Sequence, residues 1–486
     1  MKHANAESWS ISRREFLHAA GGVAAGITLT SANVLSATSS AADSNKTPAV
    51  VRGAFAYPPT ESLRQAGYYS WPGSTFDAEG RQKQYTAKLK EIQQTLGMRI
   101  EMDQKPLDSA DDLARFVKQV KQEKPDGLLL IPFKKSHWSH ITKIVDEVDT
   151  PTVILASLGI LLVGHVNQMH RRPGVFMINS LDNLDAVADG MRMIRTARRM
   201  RESRILNIQG DKERQTVVPH IGTTVCTIPR VRFIEQYKQT QATDAVKRLA
   251  DSYLKGAENV LQPTVADIVE AAKTYFALKQ TIEAEKADAV MMDCLPGLAR
   301  PHTHVPPCMG FMSLRDEGVP AGCESDLDAT LTMMLLQNLF DKPSFQHNPT
   351  AETEKNHYFC AHCTSPSRMK GPDAPPEPYM LMNHAEAGWG CVPRVLFTPG
   401  QDVTITKYLS VRSGADTPAQ MLVYSGQIIG CPPVPQTGGC RTNAETTINE
   451  LDDVCDLKGH HLCMVYGSHA KRLREFCQFY RIEATI

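Results

Sequence analysis

The sequence predicts an α/β fold: two doubly wound α/β domains followed by a smaller, mainly-β C-terminal domain. Three observations predict it. From residue 49 onward, short apolar runs of the kind parallel sheets bury alternate with segments of helical period. The tetrapeptide Arg171-Arg172-Pro173-Gly174 divides that alternation into two units. After about residue 350 prolines crowd Pro366 to Pro378, and the apolar runs shorten into strands separated by turn residues.

The first 42 residues read as a targeting segment outside the fold. Ser12-Arg13-Arg14-Glu15-Phe16-Leu17 follows a polar start and precedes a weakly apolar, Gly- and Ala-rich run from Ala19 to Leu35. Small residues from Ser36 to Ala42 offer cleavage positions. The expectation is a twin-arginine export signal centred on Arg13 and Arg14, read by the twin-arginine translocation machinery. The mature chain is then exported already folded, to a periplasmic or extracellular location, with no membrane partner.

The first unit spans residues 48–172. Strands are expected at Ala49–Tyr57, Met98–Met102, Gly127–Ile131 and Thr152–Ala156. Helices are expected at Ala78–Leu96, after the cap Ser109, and at Trp138–Val148. The apolar run Val153 to Val163 is too short to span a bilayer. The second unit spans 173–352, with strands at Val175–Ile178, Arg204–Ile208 and Ala287–Met292. Its helices run from Asn183 to Met200, from the cap Thr264, and from the cap Ser325 to Phe340. The six arginines between Arg192 and Arg204 read as a solvated helix face. The third region, 353–486, carries strands near Arg394–Phe397, Val403–Leu409, Met421–Ile429 and Leu462–Tyr466, then a helix from Ser468 to Tyr480.

Lys plus Arg and Asp plus Glu both number 53, so nothing points to nucleic acid or an anionic membrane as partner. Twelve cysteines in 486 residues are too sparse for a disulfide scaffold and read as buried thiols. Cys360-Ala361-His362-Cys363 has zinc-like spacing but lacks a second ligand pair. No P-loop, nucleophile elbow, His-Glu-x-x-His or dinucleotide fingerprint appears.

Two spots carry chemistry. In Cys323-Glu324-Ser325-Asp326 the carboxylates stand at a helix N-terminus, where the dipole favours an anion. Read locally, Glu324, Asp326 and Asp328 are capping residues. In Gly459-His460-His461-Leu462 two histidines precede a strand and point to opposite faces, so at most one serves a given site. Read locally, that histidine is structural, as are His362 and His384.

Pro307-Cys308-Met309-Gly310 through Gly318 to Leu336, together with Gly459 to Gly467, resembles the L-fucose isomerase and L-arabinose isomerase superfamily. The resemblance covers nearly all of the chain after the signal and is strongest from Ala287 onward. It implies two Rossmann-like α/β domains, a smaller mainly-β domain, and a divalent metal, most suitably Mn²⁺. It implies Glu324 as metal ligand and acid/base and His461, not His460, as the distant histidine ligand. Fucose isomerases carry an aspartate 24 residues after that glutamate; here Asn348 takes that catalytic and metal-binding position, able to coordinate through its carbonyl oxygen but uncharged and not a base. Arabinose isomerases place the second carboxylate slightly later and add a histidine, parts that match Glu352 and His362. His384 is a candidate substrate contact, and Tyr68-Tyr69-Ser70-Trp71-Pro72 offers aromatic rings to a sugar. The implied activity is aldose–ketose isomerisation of a free sugar by enediol proton transfer. The alternative is a non-catalytic carbohydrate-binding protein on the same scaffold. Such proteins are homo-oligomers whose active site a neighbouring subunit borders.

Overall fold

Apolar runs become strands where the chain can bury both of their faces. β1 (Val50–Ala56), β2 (Arg99–Met102), β3 (Gly127–Pro132), β4 (Thr152–Ser157) and β5 (Val175–Ser180) form a parallel sheet in the order β2-β1-β3-β4-β5. Every residue of the central β3 is buried. The helix Ala78–Leu96 starts where Asp77 accepts the Gly80 N–H and stops at Gly97, whose φ of 60° needs no Cβ. Ser109 and Asp112 form a capping box ahead of the helix Ala110–Glu123. The computed structural model describes residues 46–66, 76–181, 184–299, 301–411, 418–432 and 439–486. The export motif with Arg13 and Arg14 and the aromatic segment Tyr68–Trp71 lie outside them.

β5 corrects the expected boundary at residue 173. Instead of opening a second sheet, it pairs with β4 along its length, after the helix Val163–His170 has crossed over. The next helix, Asp185–Glu202, lies against this sheet; a Cβ on Gly190 would fall 2.8 Å from Val153. Its arginines are not simply solvated. Arg195 is buried and donates to the Asn338 carbonyl at 3.2 Å, and Arg192 pairs with Asp341. Both clamp the first unit to the far end of the helix Leu327–Phe340.

The second sheet contains β6 (Arg204–Ile208), β7 (Arg214–Val217), β8 (Thr224–Ile228), β10 (Ala289–Met292) and β11 (Ala321–Cys323), with the short β9 (Asn259–Val260) lying outside it. Its order is β11-β10-β6-β8-β7, parallel except for the antiparallel edge β7.

The remaining strands are β12 (Phe345–Glu352), β13 (His357–His362), β14 (Tyr379–Met382), β15 (Val392–Val395), β16 (Asp402–Leu409), β17 (Gln420–Gly430), β18 (Thr442–Thr446), β19 (Leu462–Tyr466) and β20 (Glu483–Thr485). Six of them close an antiparallel barrel, β16-β19-β12-β13-β18-β17, with β17 returning to β16. Closure leaves no bare edge, and Phe345, Tyr358, Cys360, Ile405, Tyr424, Leu462 and Met464 are buried in one cluster with it. The barrel therefore starts at Phe345, inside the stretch expected to end the second unit at 352. Outside the barrel, β14 pairs with β15 and with β9.

The chain end packs back on the first unit. From the helix Ala470–Phe479, Gln478 donates to the His170 and Val175 carbonyls at 3.0 Å and accepts the Gly174 N–H at 3.0 Å. No helix among the described residues is long and apolar enough to cross a membrane.

Candidate metal centre

β11 ends at Cys323, and the chain must turn at once into the helix Leu327–Phe340. It does so through two consecutive non-glycine residues in the left-handed region, Glu324 at φ 59° and Ser325 at φ 51°. Such conformations persist only where the surroundings over-determine them. Here the Gln346 side chain accepts the Cys323 N–H at 2.9 Å and donates to the Cys323 carbonyl at 3.2 Å. Ser325 Oγ donates to Asn207 Oδ1 at 2.8 Å. The fully buried Arg315 donates to the Ala321 carbonyl at 2.8 Å and to the Thr364 carbonyl at 3.3 Å. The helix cap is Asp326, accepting the Ala329 N–H at 2.8 Å, and not the expected Ser325.

The turn presents Glu324 to one end of the barrel. His362 is the last residue of β13, and His461 immediately precedes β19. One donor atom each from Glu324, His362 and His461 lies within 4.8 Å of the other two. His362 Nε2 and His461 Nε2 each stand 3.5 Å from a Glu324 carboxylate oxygen. Both histidines are buried, while Glu324 keeps a third of its side chain exposed.

The residues fit a cation. Neither ring nitrogen of His362, nor Nε2 of His461, makes a well-formed hydrogen bond despite burial, the contacts with Glu324 standing at 3.5 Å. A buried polar atom left so is costly unless something else satisfies it. Two ligands each about 2.1 Å from a shared ion at a near-tetrahedral angle lie roughly 3.4 Å apart, close to the observed spacing. Two imidazoles and one carboxylate suit divalent first-row ions and leave coordination positions open.

His461 is aimed by its other nitrogen. Its Nδ1 donates to Asp326 Oδ2 at 2.9 Å, which turns Nε2 toward Glu324. Asp326 Oδ2 also accepts from Lys407 Nζ at 3.0 Å, and the buried Lys407 donates to the His460 carbonyl. Burial would raise the Asp326 carboxyl, but the His461 hydrogen bond and the Lys407 charge hold it well below the usual range. The imidazoles of His362 and His461 likewise hold Glu324 well below the usual range, so its carboxylate is ionised. Burial works against charge on His461, but Asp326 and Glu324 outweigh it and raise its pKa.

The other expected site residues fare differently. Asn348 stands opposite Ala361 in the β12–β13 ladder, while Pro349 stands opposite Cys360. Side chains alternate along a strand, so the register puts Asn348 on the face away from His362. Its side chain makes no hydrogen bond to a described residue. Glu352 lies at the distant end of β12, where it accepts the Glu354 and Lys355 N–H groups of the hairpin turn. His384 is buried, and its Nδ1 accepts the Ala387 N–H at 3.2 Å, which places the ring proton on Nε2. Burial, with the charges of His362 and Arg441 nearby, pushes its pKa down to about 4. Cys360 and Cys363, the zinc-like pair, do not enter the cluster; only His362 of that motif does. All twelve cysteines are free, nine of them buried, as the sequence suggested. Sequence reasoning missed Lys407, Gln346 and Arg315 altogether and took Asp326 as a cap alone.

No protein-family model matches the chain, and no curated protein does. Among solved structures, an ABC-transporter solute-binding protein from Burkholderia multivorans aligns at 12% identity over 51% of this chain and 79% of that one, with a TM-score of 0.16. D-threo-3-hydroxyaspartate dehydratase from Delftia sp. HT23 aligns at 10% identity over 90% of this chain and 87% of that one, with a TM-score of 0.11. Both scores are too low to carry an argument about fold or function.

Proposed function

We propose that this chain is a metal-dependent aldose–ketose isomerase of the L-fucose/L-arabinose isomerase type, with two Rossmann-like units ahead of the barrel. We further propose that it is exported through the twin-arginine pathway and works as a homo-oligomer. The observation that carries the activity is the Glu324/His362/His461 group, whose buried imidazole nitrogens lack a well-formed hydrogen bond. These three residues would hold the ion, with Mn²⁺ our choice from the resemblance. A bound divalent ion would supply Lewis acidity toward the carbonyl and hydroxyl oxygens of an open-chain sugar.

The remaining work falls to the chain. Ionised and partly open to solvent, Glu324 accepts the proton from the carbon next to the sugar carbonyl and returns it to the former carbonyl carbon through an enediol, while the proton of the neighbouring hydroxyl passes to the former carbonyl oxygen. Asp326 holds the His461 ring in one orientation, and Nε2 would lose, on binding an ion, the proton that the two carboxylates otherwise favour there. His384, neutral near pH 7 with its proton on Nε2, donates a hydrogen bond to a sugar hydroxyl.

One observation favours the second reading, a carbohydrate-binding protein. Asp326 is already engaged by His461 and Lys407, and Asn348 brings no charge, which leaves Glu324 as the single free carboxylate of the described group. Ketose formation from a panel of free aldoses, with Mn²⁺-loaded wild type and Glu324→Gln, tests the choice. Isomerisation that Glu324→Gln abolishes supports the enzyme. Sugar-dependent thermal stabilisation with no ketose formed supports the binding protein.

A further inference from the structure

We propose that Cys363 and Cys440 form an oxidisable pair, a modification site whose disulfide secures the strand end that carries His362. Their sulfurs stand 3.9 Å apart, the one hydrogen bond between two cysteines among the described residues. Cys363 directly follows His362 at the end of β13. Cys440 lies just before β18, whose first residue Thr442 pairs with His362. The two thiols therefore sit where β13 and β18 meet at the mouth of the barrel. Cys363 is 7% exposed and packs with Cys308 and Val392; Cys440 packs against the same cluster but is less buried. The less buried thiol is the one a soluble reagent reaches first, and its sheltered neighbour lies within reach of it, the arrangement of an attacking and a resolving cysteine.

The oxidant is a disulfide such as oxidised glutathione. The Cys440 thiolate attacks one of its sulfurs, expelling one glutathione thiol and leaving a mixed disulfide. Cys363 then attacks the Cys440 sulfur and expels the second glutathione. The protein loses two protons and two electrons, one S–S bond forms, and the reagent is reduced to two thiols. The bond ties the exit of β13 to the approach of β18 and closes a loop containing β14 to β17. The consequence for His362 as a metal ligand rests on the metal reading above; the pairing of the thiols does not.

The full chain, purified under reductant, is incubated with oxidised glutathione, alkylated and mapped by mass spectrometry. The expected product is a Cys363–Cys440 cross-linked peptide, two hydrogens lighter than the reduced peptides, while the exposed Cys455 carries a glutathione adduct. Cys363→Ser leaves glutathione on Cys440. Cys440→Ser, at the less buried position, forms no cross-link and guards against a folding defect in the first variant. Amide exchange of the peptide ending at His362 slows by roughly tenfold in the oxidised chain but not in Cys440→Ser. Alkylation of both thiols after Cys455 has fully reacted overturns the pairing. A cross-link with unchanged exchange at His362 overturns its securing role. Glu324→Ala keeps the cross-link while losing metal, so failure of the metal reading is seen separately.

Discussion

The two five-stranded sheets are built largely alike and end differently. At the carboxyl end of the first, aromatic rings fill the space: Phe133 packs against Phe55, Tyr57 and Tyr85 at centroid distances of 5.4, 5.4 and 5.7 Å. The Tyr85 hydroxyl meets Ser157 Oγ at 3.0 Å. At the carboxyl end of the second, β11 leads into a strained turn that projects an ionised glutamate. The sheet supplies the turn in both cases, but only the second faces a barrel mouth with two buried histidines and a buried lysine. In an open α/β sheet a loop at the carboxyl end carries the site; here a separate β layer adds the two histidines beside it.

The sharpest way to break that contrast is to remove a ligand. Glu324→Ala and His461→Ala should each abolish stoichiometric metal binding, measured by elemental analysis after gel filtration. The loss should exceed the roughly 10–100-fold expected for an outer partner. Asp326→Asn should fall in that 10–100-fold range of metal affinity, read by competition with a chelating dye, because His461 loses its charged orienting partner.

Smaller still is a pH effect on stability from the barrel interior. His347 is fully buried, bonded to the Phe345 carbonyl and the Tyr358 hydroxyl, and burial pushes its pKa down to about 3. A histidine depressed on folding contributes stability above its unfolded pKa near 6.5 and loses it as pH falls toward the folded value. Denaturation midpoints should therefore drop below about pH 6.5, by about 1.4 kcal/mol per pH unit for each proton taken up on unfolding. His347→Gln should flatten that slope, and an unchanged slope would contradict the assignment. The control at the first sheet has the smallest effect: Ser157→Ala should cost about 1 kcal/mol of stability and leave metal content untouched.

Much of the layout was legible because it is written locally. Asp77, Ser109 and Thr264 cap helices within three residues of themselves, and β3 is an unbroken apolar run. The unread stretch between 208 and 264 contains β7, whose four residues are all exposed at a sheet edge and show no alternation. The barrel hid for the opposite reason. β18 is Thr-Asn-Ala-Glu-Thr, buried yet polar, and β12 contains Pro349, so neither looks like a strand. The same limit governs the site. Glu324, His362 and His461 were drawn from a family resemblance. Lys407, Gln346 and Arg315 act on partners 81, 23 and 49 residues away, and no local pattern encodes such pairings. Asp326 was hidden by doing two jobs: the residue that caps a helix through one oxygen aims His461 through the other.

The most direct test of the account is the metal content of the purified chain, grown with Mn²⁺ supplied, for wild type, Glu324→Ala and His461→Ala. The account predicts about one divalent ion per chain in wild type and none in either variant, with all three folded by circular dichroism. A metal-free wild type, or an ion retained in both variants, would contradict it.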